Sequence, residues 1–120
     1  MGMSATDIGS GIELEPERVS QWLAQEPDLQ VIDVRESYER EAGHIEGTRH
    51  IALVELSDAA ATIARERPVV FYCRVGSRSD MAAKAFRTSG FEAYSMQGGL
   101  ARWAREGRPL APADGYVAEH

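Results

Sequence analysis

Apolar positions fall in short clusters separated by charged turns, and the clusters alternate between strand-like and helix-like spacing. Ile12–Leu14 is brief and strand-like, and Pro16 follows at a favoured helix-entry position. Val19, Trp22 and Leu23 then recur at helical spacing. Leu29–Val34 is a compact apolar run interrupted by Asp33 and followed by Arg35, which predicts a buried strand. His50–Leu53 predicts another short strand, and Leu56, Ala60, Ile63 and Ala64 mark one face of a helix. Pro68 introduces Val69–Tyr72, β-branched and aromatic, the clearest strand of the chain. Gly76 breaks that run, and Ser77–Ser89 returns to helical spacing through Ala82, Ala85 and Phe86, with Gly90 placed as a C-terminal cap. Phe91–Met96 predicts the last strand. Leu100, Trp103 and Ala104 predict the last helix, closed by Gly107 and Pro109. The tail from Leu110, with Pro112, Asp114 and Gly115, reads as extended and partly mobile. Strands that alternate with helices predict an α/β fold, a central parallel sheet with helices on both faces.

Composition narrows the function classes. The 120 residues suit one domain. Thirteen Lys and Arg against nineteen Asp and Glu leave a formal charge of −6, which argues against nucleic-acid or acidic-membrane binding. No apolar run approaches the ~20 residues of a membrane span. Met1–Gly11 has no basic segment leading into an apolar one, so it does not read as a signal peptide. These features predict a soluble cytoplasmic protein. His44, His50 and His120 show no metal-ligand spacing, so no metal site is expected. Trp22 and Trp103 fall on apolar helical faces and are assigned to the core.

The single cysteine, Cys73, excludes an intramolecular disulfide, a four-thiolate zinc site and an internal CxxC couple. It is either an inert buried thiol or a reactive one. It stands immediately after the clearest strand, where ligands of open parallel sheets bind. Arg74, Val75, Gly76, Ser77, Arg78 and Ser79 follow, leading into a helix. Helix N-termini carry partial positive charge and unsatisfied N–H groups. Gly76 permits left-handed dihedrals that converge N–H groups on an anion, and Arg74 and Arg78 add full charges. Such surroundings favour the thiolate and hence a nucleophile. Arg74 is placed toward the mouth where an anion arrives, and Arg78 either supplies charge or braces the loop. Asp33 and Arg35 read as a structural ion pair or turn. Glu36 and Glu39 read as residues of a solvated turn with no substrate role, and His44 as a structural hydrogen-bonder.

Cys73-Arg74-Val75-Gly76-Ser77-Arg78-Ser79 resembles the active-site loop of the rhodanese-like sulfurtransferases. Ile32-Asp33-Val34-Arg35-Glu36, with Glu39 and Gly43–Gly47, is similar to that family's upstream motif. Gly98-Gly99-Leu100-Ala101-Arg102-Trp103 is similar to its closing motif. The three blocks occur in family order between Val31 and Pro109, and the length matches single-domain members. The resemblance implies a rhodanese-like domain over residues 11–109, with a flexible segment at 1–10 and a tail at 110–120. It implies that Cys73 takes the outer sulfur of a small anionic donor such as thiosulfate, releases sulfite and becomes a persulfide. An external thiol or cyanide, or a protein acceptor, then removes that sulfur, with no cofactor. Arg74 to Ser79 would bind the donor through main-chain N–H groups.

Two alternatives differ in class. Cell-cycle phosphatases and arsenate reductases also use a cysteine at a loop start, but they resemble Cys-x5-Arg, whereas Cys73 to Arg78 is Cys-x4-Arg. A non-enzymatic partner-binding module would have lost the cysteine, which is kept here. Sulfur transfer is the favoured reading.

Overall fold

Pro16 opens the first helix at its initial turn, where a missing N–H costs nothing, and the computed structural model shows how the remaining elements follow from there. It describes residues 11–120; the segment 1–10, expected to be flexible and not a signal peptide, lies outside the described residues. In chain order the elements are β1 (Glu13–Leu14), α1 (Pro16–Gln25), β2 (Gln30–Asp33), α2 (Ser37–Ala42), β3 (Arg49–His50), α3 (Leu56–Ala59), β4 (Val69–Tyr72), α4 (Ser77–Thr88), β5 (Ala93–Met96) and α5 (Gly99–Arg105). Short 3₁₀ turns, Leu53–Glu55 and Ala60–Thr62, flank α3. The strand order is β1-β5-β4-β2-β3, and every neighbouring pair is parallel. All strands therefore end at one edge. The predicted parallel sheet with helices on both faces is the observed architecture.

The period-2 alternation of β4 divides the core. Val69, Phe71 and Cys73 face Ala82, Ala83 and Phe86 of α4 together with Leu56 and Ile63. Val70 and Tyr72 face Val19 and Trp22 of α1 and Leu100 and Trp103 of α5. Both tryptophans are buried, as expected. Phe86 stacks edge-on against Phe71 at 4.9 Å between centroids and lies 4.7 Å from Phe91. Helix α4 ends as predicted at Gly90: Gly90 N–H donates to Arg87 and Phe91 N–H to Phe86, the paired bonds of a Schellman motif.

Four expectations are corrected. The helix expected through Leu56–Ala64 is one α-helical turn between two 3₁₀ turns. The Thr62 hydroxyl donates to the Ala59 carbonyl at 2.6 Å, competing for a helical acceptor, and Ile63 turns extended. The strand expected at His50–Leu53 is Arg49–His50, since Leu53 already enters a 3₁₀ turn. Glu36 and Glu39 do not form a solvated turn: they cap α2 reciprocally, and Glu39 is fully buried. The tail, although extended, is tied down. Ala111 and His44 exchange main-chain bonds at 2.8 and 3.0 Å, Tyr116 N–H donates to Ala42, and Val117 packs on the core.

Candidate active site

Strand β4 delivers Cys73 to the edge where all the strands end, at the centre of the sheet. Its side chain is fully buried. The chain then folds back over it. Gly76 N–H points at Sγ from 3.1 Å, Ser79 N–H from 3.4 Å, and the Ser79 hydroxyl lies at 3.5 Å. Gly76 makes this possible: its φ of +111° reverses the chain, and its carbonyl starts α4 by accepting from Asp80 N–H at 2.9 Å. Ser79, fully buried, is hydrogen-bonded to the equally buried Ser95 of β5 at 2.8 Å and donates to the Gly76 carbonyl at 3.2 Å. The hydroxyl pair links the loop to the sheet.

The far side of the loop is closed by α5. Leu100 N–H donates to the Cys73 carbonyl at 2.8 Å, and Ala101 N–H to the Arg74 carbonyl at 2.9 Å. Such an approach requires a bare backbone. A Cβ on Gly99 would sit 2.5 Å from the Arg74 carbonyl, and Gly99 also holds a φ of +60°. Gly99 is thus the bare surface that lets α5 dock on the cysteine loop.

The other predicted residues separate into two groups. Arg74 is half-buried, and its guanidinium has no hydrogen-bond or ion-pair partner among the described residues. Val75 and Ser77 are exposed at the mouth. Arg78 is committed. Its Nη1 and Nη2 donate to the two oxygens of Glu39 at 2.8 and 3.0 Å. Burial of Glu39 opposes its charge, but Arg78 and the Glu36 N–H hold the carboxyl below the usual carboxylate range. The structure therefore brings Cys73, Gly76 and Ser79 together, leaves Arg74 free, and turns Arg78 toward α2. Bracing, the second of the two readings of Arg78, is the geometry found.

Behind the loop lies the second motif. Asp33 accepts the Arg35 N–H and Nε at one oxygen and Nη2 at the other, and Nη2 also reaches the Gly43 carbonyl at 2.7 Å. Asp33 and Arg35 are both fully buried, matching the structural reading. Tyr72 precedes Cys73 but points to the opposite face, where its hydroxyl meets Ile45 N–H and Thr48. Burial and the nearby Asp33 charge push its phenol up to about 12, so it stays neutral. His44 Nδ1 pairs with the Arg40 carbonyl at 3.0 Å, a structural bond as expected. A separate, largely apolar cleft of about 460 Å³ between Leu53–Ala60 and α4 is not lined by Cys73.

Sequence reasoning missed Glu39 and Ser95. The Glu36-x-x-Glu39 spacing of a capping box was the available signal for α2, whereas nothing local pointed to Ser95.

A rhodanese-like domain family model matches residues 15–106. The chain belongs to the rhodanese-like domain family. The thiosulfate sulfurtransferase GlpE of Pseudomonas aeruginosa is 36% identical over 102 residues, covering 84% of this chain and 87% of that protein. A probable adenylyltransferase/sulfurtransferase, MoeZ of Mycobacterium tuberculosis, is 32% identical over 108 residues; the match covers 88% of this chain but 28% of that longer relative. A rhodanese-related protein from Thermoplasma volcanium superposes with a TM-score of 0.76 at 24% identity, over 84% of this chain and 98% of its own. That likeness shows the rhodanese fold. Among the described residues, no helix of this rhodanese domain is long and apolar enough to cross a membrane.

Proposed function

We propose that the protein is a sulfurtransferase that carries sulfane sulfur on Cys73. One observation carries the reading: two main-chain N–H groups converge on Sγ at 3.1 and 3.4 Å within a loop anchored at both ends. Preorganised donors stabilise an anionic sulfur at no cost of reorganisation. The thiolate attacks the outer sulfur of thiosulfate, the S–S bond of the donor breaks, and its electron pair leaves with sulfite. The product is Cys73–S–S⁻, whose charge moves one bond outward. The first-turn N–H groups of α4 at Ser77 and Arg78 have no intrahelical acceptors and serve the terminal sulfur there. Free Arg74 draws in the anionic donor. Cyanide or a thiolate then attacks the terminal sulfur, giving thiocyanate or a new persulfide and restoring the Cys73 thiolate. The relatives named for sulfur transfer support this reading, and thiosulfate is the donor assigned by analogy with GlpE. A protein thiol is a further acceptor, by analogy with the MoeZ relative. A nucleophile that works as a reduced thiol fits a reducing compartment such as the cytoplasm.

Phosphate chemistry is disfavoured by the commitment of Arg78. The phosphatase reading would set the loop's second arginine, Arg78, on the phosphoryl oxygens, and that guanidinium is filled by Glu39. The test is intact-mass measurement after incubation with thiosulfate. One sulfur atom should be gained, cyanide or excess thiol should remove it, and Cys73→Ser should gain none. Sulfur transfer by Cys73→Ser at the wild-type rate would overturn the reading.

A further inference from the structure

Glu39 lies on a different element from the cysteine loop, 39 positions earlier in sequence, yet it holds the first turn of the loop's helix by a bidentate ion pair with Arg78. Its carboxylate is buried and hydrogen-bonded at both oxygens. Oε1 accepts the Glu36 N–H at 3.0 Å and Arg78 Nη1 at 2.8 Å, and Oε2 accepts Arg78 Nη2 at 3.0 Å. Arg78 stands between Gly76 and Ser79, the two residues whose N–H groups meet the thiol. A planar guanidinium held at both nitrogens fixes orientation as well as distance, which a lysine in its place would not do. Glu39 is itself anchored: the capping box ties it to the start of α2, and the tail residue Tyr116 bonds Ala42 at the other end of that helix. The chain of contacts runs from tail to α2, to Arg78, to the sulfur.

We propose that Glu39 is a positioning residue for sulfur transfer. Through Arg78 it sets the first turn of α4 so that the Gly76 and Ser79 N–H groups stay on Sγ. It also occupies the charge of Arg78, leaving Arg74 as the cation that meets the donor. This rests on the sulfurtransferase reading for its effect on turnover, but its structural content does not.

The experiment therefore uses two readouts on the full chain. Amide hydrogen exchange followed by NMR reports the Gly76 and Ser79 N–H groups directly, without turnover. Steady-state kinetics with thiosulfate and cyanide separates kcat from KM. In Glu39→Gln, which keeps the side-chain shape, protection at Gly76 and Ser79 should fall at least tenfold while Val70 and Phe71 in β4 keep theirs. Turnover should fall about tenfold, with KM within threefold of wild type, as expected when preorganised donors rather than donor capture are lost. Arg78→Lys keeps the charge but loses the fork and should show the same pattern; it decides the matter where Glu39→Gln does not fold. The double variant should lose no more than about twofold beyond either single change, because both act through one contact. Unchanged protection at Gly76 and Ser79, or an equal loss at Val70 and Phe71, would overturn the proposal. A wild type that transfers no sulfur would refute the proposed function alone, since the amide result still decides whether Glu39 holds the loop.

Discussion

Around Cys73 the shortest contacts to the thiol come from main-chain N–H groups, whereas around Asp33 most of the polar contacts come from side chains. The two regions adjoin, because Asp33 pairs in register with Tyr72, the residue before the cysteine. In the first, N–H groups of Gly76 and Ser79 reach Sγ, and the Arg74 guanidinium is left without a hydrogen-bond or ion-pair partner among the described residues. In the second, Asp33, Arg35, Arg40, Thr48 and Tyr72 exchange hydrogen bonds among themselves and with nearby carbonyls. Backbone donors cannot be repositioned by a rotamer change, so they suit a site that must hold a reactive atom still. Side-chain ion pairs tolerate burial when most of their hydrogen bonds are made, so they suit a region that must not move. The contrast is between main-chain donors kept for a substrate and side-chain donors mostly taken up by the fold, with Arg35 Nη1 buried and unpartnered among the described residues.

The most severe way to break this contrast is Asp33→Ala. It would leave the Arg35 guanidinium buried without its counter-charge, at a cost of about 3–5 kcal/mol. Thermal melting should show a drop of roughly 10–20 °C. Sulfur transfer measured well below the new midpoint should survive within severalfold, since Asp33 does not touch the thiol. A melting temperature within a few degrees of wild type would mean that Arg35 reaches water and that the region is less closed than described.

A smaller effect sharpens the other side. Arg74→Ala should leave melting unchanged, because its guanidinium makes no hydrogen bond or ion pair among the described residues. It should raise the KM for thiosulfate about tenfold with little change in kcat, as lost ground-state binding does. Arg78→Ala should do the reverse, lowering both melting temperature and kcat. Matching kinetic losses with unchanged melting for both variants would erase the distinction between a free and a committed arginine.

The smallest effect is in the pH dependence of stability. Glu39 is held below the ordinary carboxylate range, so folding favours its charged form. That contribution is fully present above the unfolded-state pKa of about 4.3 and is lost as pH falls through the lower folded value. Denaturant midpoints measured from pH 7 down to pH 3 should therefore fall on the acid side less steeply in Glu39→Gln than in wild type. Parallel acid limbs would mean that the pair with Arg78 contributes nothing to the folded state.

The two regions also differed in how readable they were. The cysteine loop is contiguous: strand, thiol, Gly76 and helix follow within a dozen residues, so local pattern suffices. The sheet was likewise legible, because buried parallel strands such as Val69–Tyr72 are continuous apolar runs. What was hidden depends on pairing across the chain. Nothing local says that Glu39 meets Arg78, or that Ser95 meets Ser79, and an isolated glutamate reads as surface until its partner is placed. The broken helix at Leu56–Thr62 failed for a different reason. Its apolar spacing was helical, but a side-chain hydroxyl at Thr62 competed for a main-chain acceptor. The tail was misjudged because Pro112, Asp114 and Gly115 resemble a free end, while the contacts that tie it down belong to Ala42 and His44.

The docking of α5 on the cysteine loop has a consequence for biosynthesis. A chain leaves the ribosome N-terminus first, so Cys73 emerges well before Leu100 and Ala101. Until those two residues arrive, the carbonyls of Cys73 and Arg74 lack the partners that hold the loop on its closing side. Strand β1 must likewise wait for β5 before it can join the sheet. The nascent thiol therefore spends part of synthesis exposed on an unfinished domain, open to oxidants but without its complete cradle. Competence to carry sulfur arrives late, with the last helix, and a chain stalled before Gly98 would display the cysteine without the machinery that makes it useful.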